Sequence, residues 1–200
     1  GRANSPYNGD YLTAAFASGS SNGSGTATAA SFAAFGLGEE TWSSGRAPAS
    51  NNGLCAYTPS RGVISVRGNW PLVLTMDVVV PHTRTMADML EVLDILVDDD
   101  IDTRGDFWRC QPWITIPLAS RLRPTSYTAL EVGSLKGKRF GVPAMYINAD
   151  PDVGGIGIGG PTGQKIETRA SIIALWNKTR VALEQAGAEV MLVGFPVISN

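Results

Sequence analysis

The sequence predicts an α/β protein, and three observations carry that expectation. A strand-like run at 138–143, a helical stripe at about 167–186 and a second strand-like run at 188–193 follow one another late in the chain. Apolar residues recur at helical spacing between Thr83 or Thr85 and Val97. The composition is that of a globular protein with a sizeable core: hydrophobic residues make up 44% of 200 positions and charged residues 17%.

The elements follow in chain order. Residues 1–18 are irregular, with Pro6, Asn8-Gly9 and Asp10 as turn formers. A small-residue block, Ser18-Gly19-Ser20-Ser21-Asn22-Gly23-Ser24-Gly25, runs into an Ala-rich stretch. Its alanines and the Phe32/Phe35 spacing predict a short packed helix, capped by Ser24 or Thr26 and ended by Gly36-Leu37-Gly38. Residues 39–62 carry weak periodicity and read as ordered loop with short strands. Val63–Val66, Leu72–Leu74 and Val78–Val80 are strand candidates, the last stopping at Pro81. In the next helix Met86, Met89, Leu90, Leu93, Leu96 and Val97 share a face. Asp98-Asp99-Asp100 carry the wrong charge for a helix C-terminus and belong in solvated loop. Residues 101–134 form a long irregular connection, 138–143 a buried strand, and 149–163 a flexible Gly-rich segment. The last helix carries Ile172, Leu175, Trp176, Thr179 and Leu183 on one stripe, with Gly187 at its C′ position.

Charge and residue counts exclude several functions. Sixteen basic against 18 acidic residues give a net charge of -2, without the basic excess of a nucleic-acid binder. No apolar run reaches membrane-spanning length, and the N-terminus lacks the apolar region of a signal peptide, so a cytoplasmic location is expected. The missing initial Met points to a processed product or a fragment. Cys55 and Cys110 form no CxxC; free thiols in a reducing compartment or one disulfide both fit. His82 is the single histidine, which argues against a His-rich metal site or His-based catalysis, and it reads as a surface or capping residue. Gly155-Ile156-Gly157-Ile158-Gly159-Gly160 spells GxGxxG, but it follows Asp150-Pro151-Asp152 rather than a strand, so a mobile loop is the better reading. The serine block reads either as a linker or as a loop that points hydroxyls and N–H groups at an anion before a helix.

The order of short motifs resembles the amidase signature family of serine hydrolases. The matching pieces are the Ser18–Gly25 block, Gly38-Glu39-Glu40-Thr41-Trp42-Ser43-Ser44-Gly45-Arg46 with Pro48, and Thr58-Pro59-Ser60-Arg61-Gly62-Val63-Ile64-Ser65. Then come Met76-Asp77 with Pro81-His82-Thr83-Arg84-Thr85-Met86-Ala87-Asp88, Leu135-Lys136-Gly137-Lys138-Arg139-Phe140-Gly141-Val142-Pro143, and Ala182-Leu183 through Gly187-Ala188-Glu189-Val190. The resemblance spans most of the chain. It implies a mixed β-sheet sandwiched between helices, with residues 1–200 as the central part of one amidase domain. The N-terminal Lys-bearing part and the C-terminal part would be absent.

Carried over by position, the family nucleophile falls on Ser44 and the bridging serine, with its cis peptide bond, on Ser20. The oxyanion-hole N–H groups fall on Thr41, Trp42, Ser43 and Ser44, and Ser21 matches a supporting serine. The resemblance implies hydrolysis of a small carboxamide to acid and ammonia or amine through an acyl-enzyme. It implies no cofactor, no direct nucleic-acid partner and no membrane. A serine hydroxyl needs a base at neutral pH, and the family uses a neutral lysine upstream of the bridging serine. Here Lys136, Lys138, Lys165 and Lys178 all follow Ser44, so the isolated chain is expected to be inactive. Trp42-Ser43 replace the Gly-Gly before the nucleophile, so Trp42 either narrows the pocket or spoils the hole. Glu39-Glu40 replace Thr-Asp and keep one acid at the Asp position. Two alternatives share these motifs: a glutamine-hydrolysing amidotransferase A-like subunit, and a non-catalytic amidase-like protein.

Overall fold

A computed structural model describes residues 3–14, 18–130, 134–150 and 167–194. The chain divides into two compact units, Gly1–Leu130 and Glu131–Asn200, and each unit has its own sheet.

The first unit is built on the apolar run Val78-Val79-Val80. Strand β3 (Val78–Thr83) is buried at every position and lies between β1 (Gly36–Glu40) and β2 (Cys55–Ala56), antiparallel to both. The strand does not stop at Pro81. Proline lacks the N–H that a central strand needs, but β2 is only two residues long and pairs no further than Ala56 with His82. The Pro81 carbonyl accepts the Tyr57 N–H at 3.4 Å on that side, where the ladder ends. Strand β1, Gly-Leu-Gly-Glu-Glu, has no strong β-former and stands where a helix stop was expected. It forms because β3 must pair on that edge, with Gly38 opposite Val80 and Glu40 opposite Val78.

Helices cover both faces of this sheet. Helix α1 (Asn22–Ala29) lies against β1, where glycine permits the close approach. A Cβ on Gly38 would sit 2.8 Å from His82 Cε1 and 3.0 Å from Ser21 Cβ, and one on Gly36 would collide with Ser24 and Thr28. The helix starts and ends earlier than expected. Ser31 takes φ 61°, its N–H donates to Thr28 O, and the Phe32 N–H donates to Ala27 O. This left-handed stop leaves Phe32 and Phe35 exposed. Helix α2 (Arg46–Asn51), which the sequence pattern does not signal, packs on α1 and β2. Helix α3 (Met86–Leu96) takes the opposite face and matches its expected range. Thr85 caps it through its hydroxyl, which accepts the Asp88 N–H at 3.1 Å. Met89, Leu93 and the following Val97 close a core with Val79, Ile64 and Ala119.

The long connection after α3 is irregular but anchored by carboxylates. Val63–Val66 and Leu72–Leu74 form no strand. Asp100 binds Arg67 and the Ser65 hydroxyl at 2.8 Å each, and Asp99 accepts Ser120 N–H at 2.9 Å. The triplet is therefore not simply solvated charge. The Arg67 guanidinium, then Ser65, hold the Asp100 carboxyl at about 2. Asp106 caps the short α4 (Phe107–Cys110), whose Arg109 donates to Gly62 O at 2.6 Å, and α5 (Ala119–Leu122) follows. Asp94, on α3, accepts the Ser126 hydroxyl and the Tyr127 N–H, at 2.6 Å each. Cys55 and Cys110 are free thiols.

In the second unit β4 (Arg139–Pro143) and β5 (Glu189–Val193) pair in parallel, Arg139 opposite Glu189 through Pro143 opposite Val193. Helix α6 (Ala170–Gln185) lies between them in sequence and ends as expected, with Gly187 at φ 92°. The Gly187 N–H donates to Glu184 O and the Ala188 N–H to Leu183 O, which pairs off the last carbonyls. Strand β4 is exposed or half-buried rather than buried, and no residue of α6 is buried. The GxGxxG segment lies outside the described residues. Among those described, no helix is long and apolar enough to cross a membrane.

Candidate active site

The sequence-derived residues converge on two loops of the first unit. Ser18–Ser21 precede α1, and Thr41–Ser44 join β1 to α2. The two segments are tied where β1 passes the start of α1. The Glu39 N–H donates to Ser21 Oγ at 2.9 Å, and the Ser21 hydroxyl donates to Glu39 O at 3.2 Å. Ser18 and Ser43 make the direct hydroxyl–hydroxyl contact between the loops. Ser20 and Ser44 make no hydrogen bond to each other, and neither hydroxyl has a partner among the described residues. The peptide bond before Ser20 is trans, with no cis peptide among the described residues; Gly19, at φ 107°, turns the chain there.

Two carboxylates fix the second loop from either end. Glu40, 3% exposed, accepts the Gly45 and Arg46 N–H groups on Oε2 at 2.9 Å each, and the Arg46 guanidinium on Oε1 at 3.2 Å. The same guanidinium donates to Trp42 O at 2.6 Å. Asp77, just before β3, accepts the Thr41 hydroxyl on one oxygen and the Leu72 and Val73 N–H groups on the other, at 2.7 and 2.8 Å. Within the loop, the N–H groups of Thr41, Trp42, Ser43 and Ser44 donate to no described residue. A short run of unpaired donors beside a hydroxyl is suited to an oxygen that gains negative charge.

Neither Trp42 nor Ser43 adopts a positive φ, so the loop does not require glycine there. The indole is 77% exposed and lies outside the residues lining the adjoining cleft. That cleft, about 500 Å³, is lined by Ser20, Ser21, Glu39, Asn69 and Trp70 among others. Burial, then the nearby Asp77 charge, pushes the Glu39 carboxyl above its usual range, against a hydrogen bond from Asn69. Among the described residues, no group of three or more His, Cys, Asp or Glu side chains is placed to hold a metal.

The profile of the Amidase family matches residues 1–155. The chain belongs to the Amidase family. Its relatives include a mitochondrial glutamyl-tRNA(Gln) amidotransferase subunit of Aedes aegypti, 32% identical over 186 residues, which cover 92% of this chain and 31% of that protein. Among solved structures, an amidase family protein of Bacillus anthracis superposes with a TM-score of 0.68 at 27% identity, covering 96% of this chain and 32% of that one. The native peptide amidase of Stenotrophomonas maltophilia gives 0.63 at 25% identity, covering 96% and 33%. The chain thus spans about a third of the length of these relatives. Their shared mixture of helices and strands agrees with the α/β class read from the sequence.

Three residues that organise this candidate site do not stand out in the sequence. Asp77 has a usable signal, the Met76-Asp77 match. Arg46 is visible there only as a neighbour of Ser44. His82 is not the surface or capping residue that its sequence position suggests; it is fully buried in β3, because the strand continues through Pro81. Its pKa is lowered by burial, partly offset by the bond to the Gly45 carbonyl and by the Glu40 charge.

Proposed function

We propose that these 200 residues are the central part of an amidase domain that hydrolyses a small carboxamide through an acyl-enzyme on Ser44. The observation that carries this reading is the Thr41–Ser44 loop. Its four N–H groups are unpaired among the described residues, and it is held by Glu40 and Asp77 beside the Ser44 hydroxyl. The Ser44 oxygen adds to the amide carbonyl carbon, and the loop N–H groups stabilise the oxyanion. Losing one such donor costs roughly 3–4 kcal/mol in well-studied hydrolases. The C–N bond then breaks, the amine leaves with a proton, and water cleaves the ester to release the acid and restore the hydroxyl.

Ser20, which lines the cleft, is the proposed proton relay, and Ser21 its support. The base would be a lysine outside this chain, since all four lysines here follow Ser44. The 200 residues alone are therefore expected to turn over no amide. A second reading has support in the relatives named as glutamyl-tRNA(Gln) amidotransferase subunits: release of ammonia from glutamine within a multi-subunit enzyme. Glutamine as a substrate would favour it over simple amides.

The test is fluorophosphonate labelling of the protein from its complete reading frame, mapped by peptide mass spectrometry. Modification at Ser44, lost in Ser44→Ala and slowed by at least about a hundredfold in Ser20→Ala, is expected for a relay acting as one unit with the nucleophile. Modification at Ser43, whose hydroxyl meets Ser18, or no labelling at all overturns the assignment.

A further inference from the structure

His82 joins the two halves of the site. Its Nε2 lies 2.8 Å from the Gly45 carbonyl oxygen, and its Nδ1 lies 3.2 Å from Ser24 Oγ. A carbonyl only accepts, so Nε2 must carry the proton. In a neutral ring Nδ1 is then the acceptor, and the Ser24 hydroxyl must donate to it. The bonding pattern therefore selects one tautomer. The ring is fully buried, packed over Gly38, whose missing Cβ leaves the room it fills. Ser24 lies on α1, just after Ser20 and Ser21, while Gly45 immediately follows Ser44 and precedes α2.

We propose that His82 is a positioning residue which, as the neutral Nε2–H tautomer set by the Gly45 carbonyl and matched by the Ser24 hydroxyl, fixes that carbonyl and so aims the Ser44 turn at the loop before α1. The histidine makes no hydrogen bond to the Ser20 or Ser44 hydroxyl. It acts through the backbone, and Ser24 acts through it. The proposal rests on the reading of Ser44 as nucleophile only for its effect on reactivity; the orienting contact itself is independent of that reading.

Two measurements separate the two claims. The first uses the 200-residue chain and its ¹⁵N spectrum. The wild type should show the His82 ring as a neutral Nε2–H tautomer. His82→Phe should move the amide resonances of Ser44, Gly45 and Arg46, while Leu93→Ala, a core change on α3 away from the cleft, should leave them in place. An Nδ1–H ring, or unmoved Ser44–Arg46 amides in His82→Phe, overturns the proposal whatever Ser44 does.

The second uses fluorophosphonate labelling of the protein from its complete reading frame, at a temperature where circular dichroism shows each variant folded. His82→Phe and Ser24→Ala should each slow labelling at Ser44 roughly tenfold, the size of one lost buried hydrogen bond. His82→Gln keeps an N–H donor and should recover most of the rate, while Leu93→Ala should keep it. Equal slowing by His82→Phe and Leu93→Ala, or no recovery with glutamine, reduces His82 to a core residue and overturns the positioning role. An unlabelled wild type instead counts against Ser44, and the spectra still decide on His82.

Discussion

Glu40 shows how one side chain can organise a whole loop. Its carboxylate pairs two N–H groups and a guanidinium. Glu40→Ala leaves the buried Gly45 N–H without an acceptor and frees Arg46 from one end of the loop. A loss of about 2–4 kcal/mol follows from one orphaned buried donor and a lost charge-assisted pair. The urea midpoint should fall accordingly with an unchanged slope. His82 adds a pH signature. Burial lowers its pKa below the ordinary 6.5, so the unfolded chain binds the proton more readily. Its contribution is complete above pH 6.5 and is lost as the pH falls from there toward the folded-state value. Glu39, raised above 4.5, acts with the opposite sign and costs stability as the pH rises. The His82 contribution is therefore read as a difference: wild type minus His82→Gln should decline below pH 6.5 and be flat above it. At this scale the sequence was readable at position 40, where the acid kept at the family's Asp position anchors the loop. His82 was not, because its burial depends on a strand continuing through a proline.

Among the elements, α3 was legible because two independent signals agree, a threonine cap and an apolar stripe. Strand β1 was not, since Gly-Leu-Gly-Glu-Glu is poor in β-formers and owes its conformation to β3 beside it. Helix α1 was placed too late because its stop rests on Ser31, a residue with no glycine-like signature, at φ 61°. Holding a non-glycine residue there costs roughly 1–2 kcal/mol. Ser31→Gly relieves that cost and loses part of the gain to the more flexible unfolded chain. Net stabilisation of about 0.5–1 kcal/mol is expected, seen as a higher urea midpoint. A destabilised variant would mean that the serine side chain contributes at that turn.

At the scale of the whole molecule, the two units differ in what they bury. The first has a core of Ile64, Val79, Met89, Leu93, Val97 and Ala119, while α6 in the second buries no residue and leaves Ile172 and Leu175 more than half exposed. Residues 1–130 produced alone should keep a cooperative unfolding transition, followed by tryptophan emission in urea. Residues 131–200 alone should show none, since their described residues bury no large apolar side chain. The order of strand, helix and strand in the second unit was readable because each piece follows its own periodicity. The lack of burial there was not, since an apolar stripe reads the same whether or not something covers it.

The glycine seam between β1 and α1 carries a consequence for inheritance. A methyl group on Gly38 would lie 2.8 Å from the His82 ring, and one on Gly36 would overlap the hydroxyls of Ser24 and Thr28. Every missense change in a glycine codon introduces at least that methyl group, so the genetic code offers these two positions no mild alternative. Where neighbouring surface codons can drift among similar residues, here only silent nucleotide changes leave the seam intact.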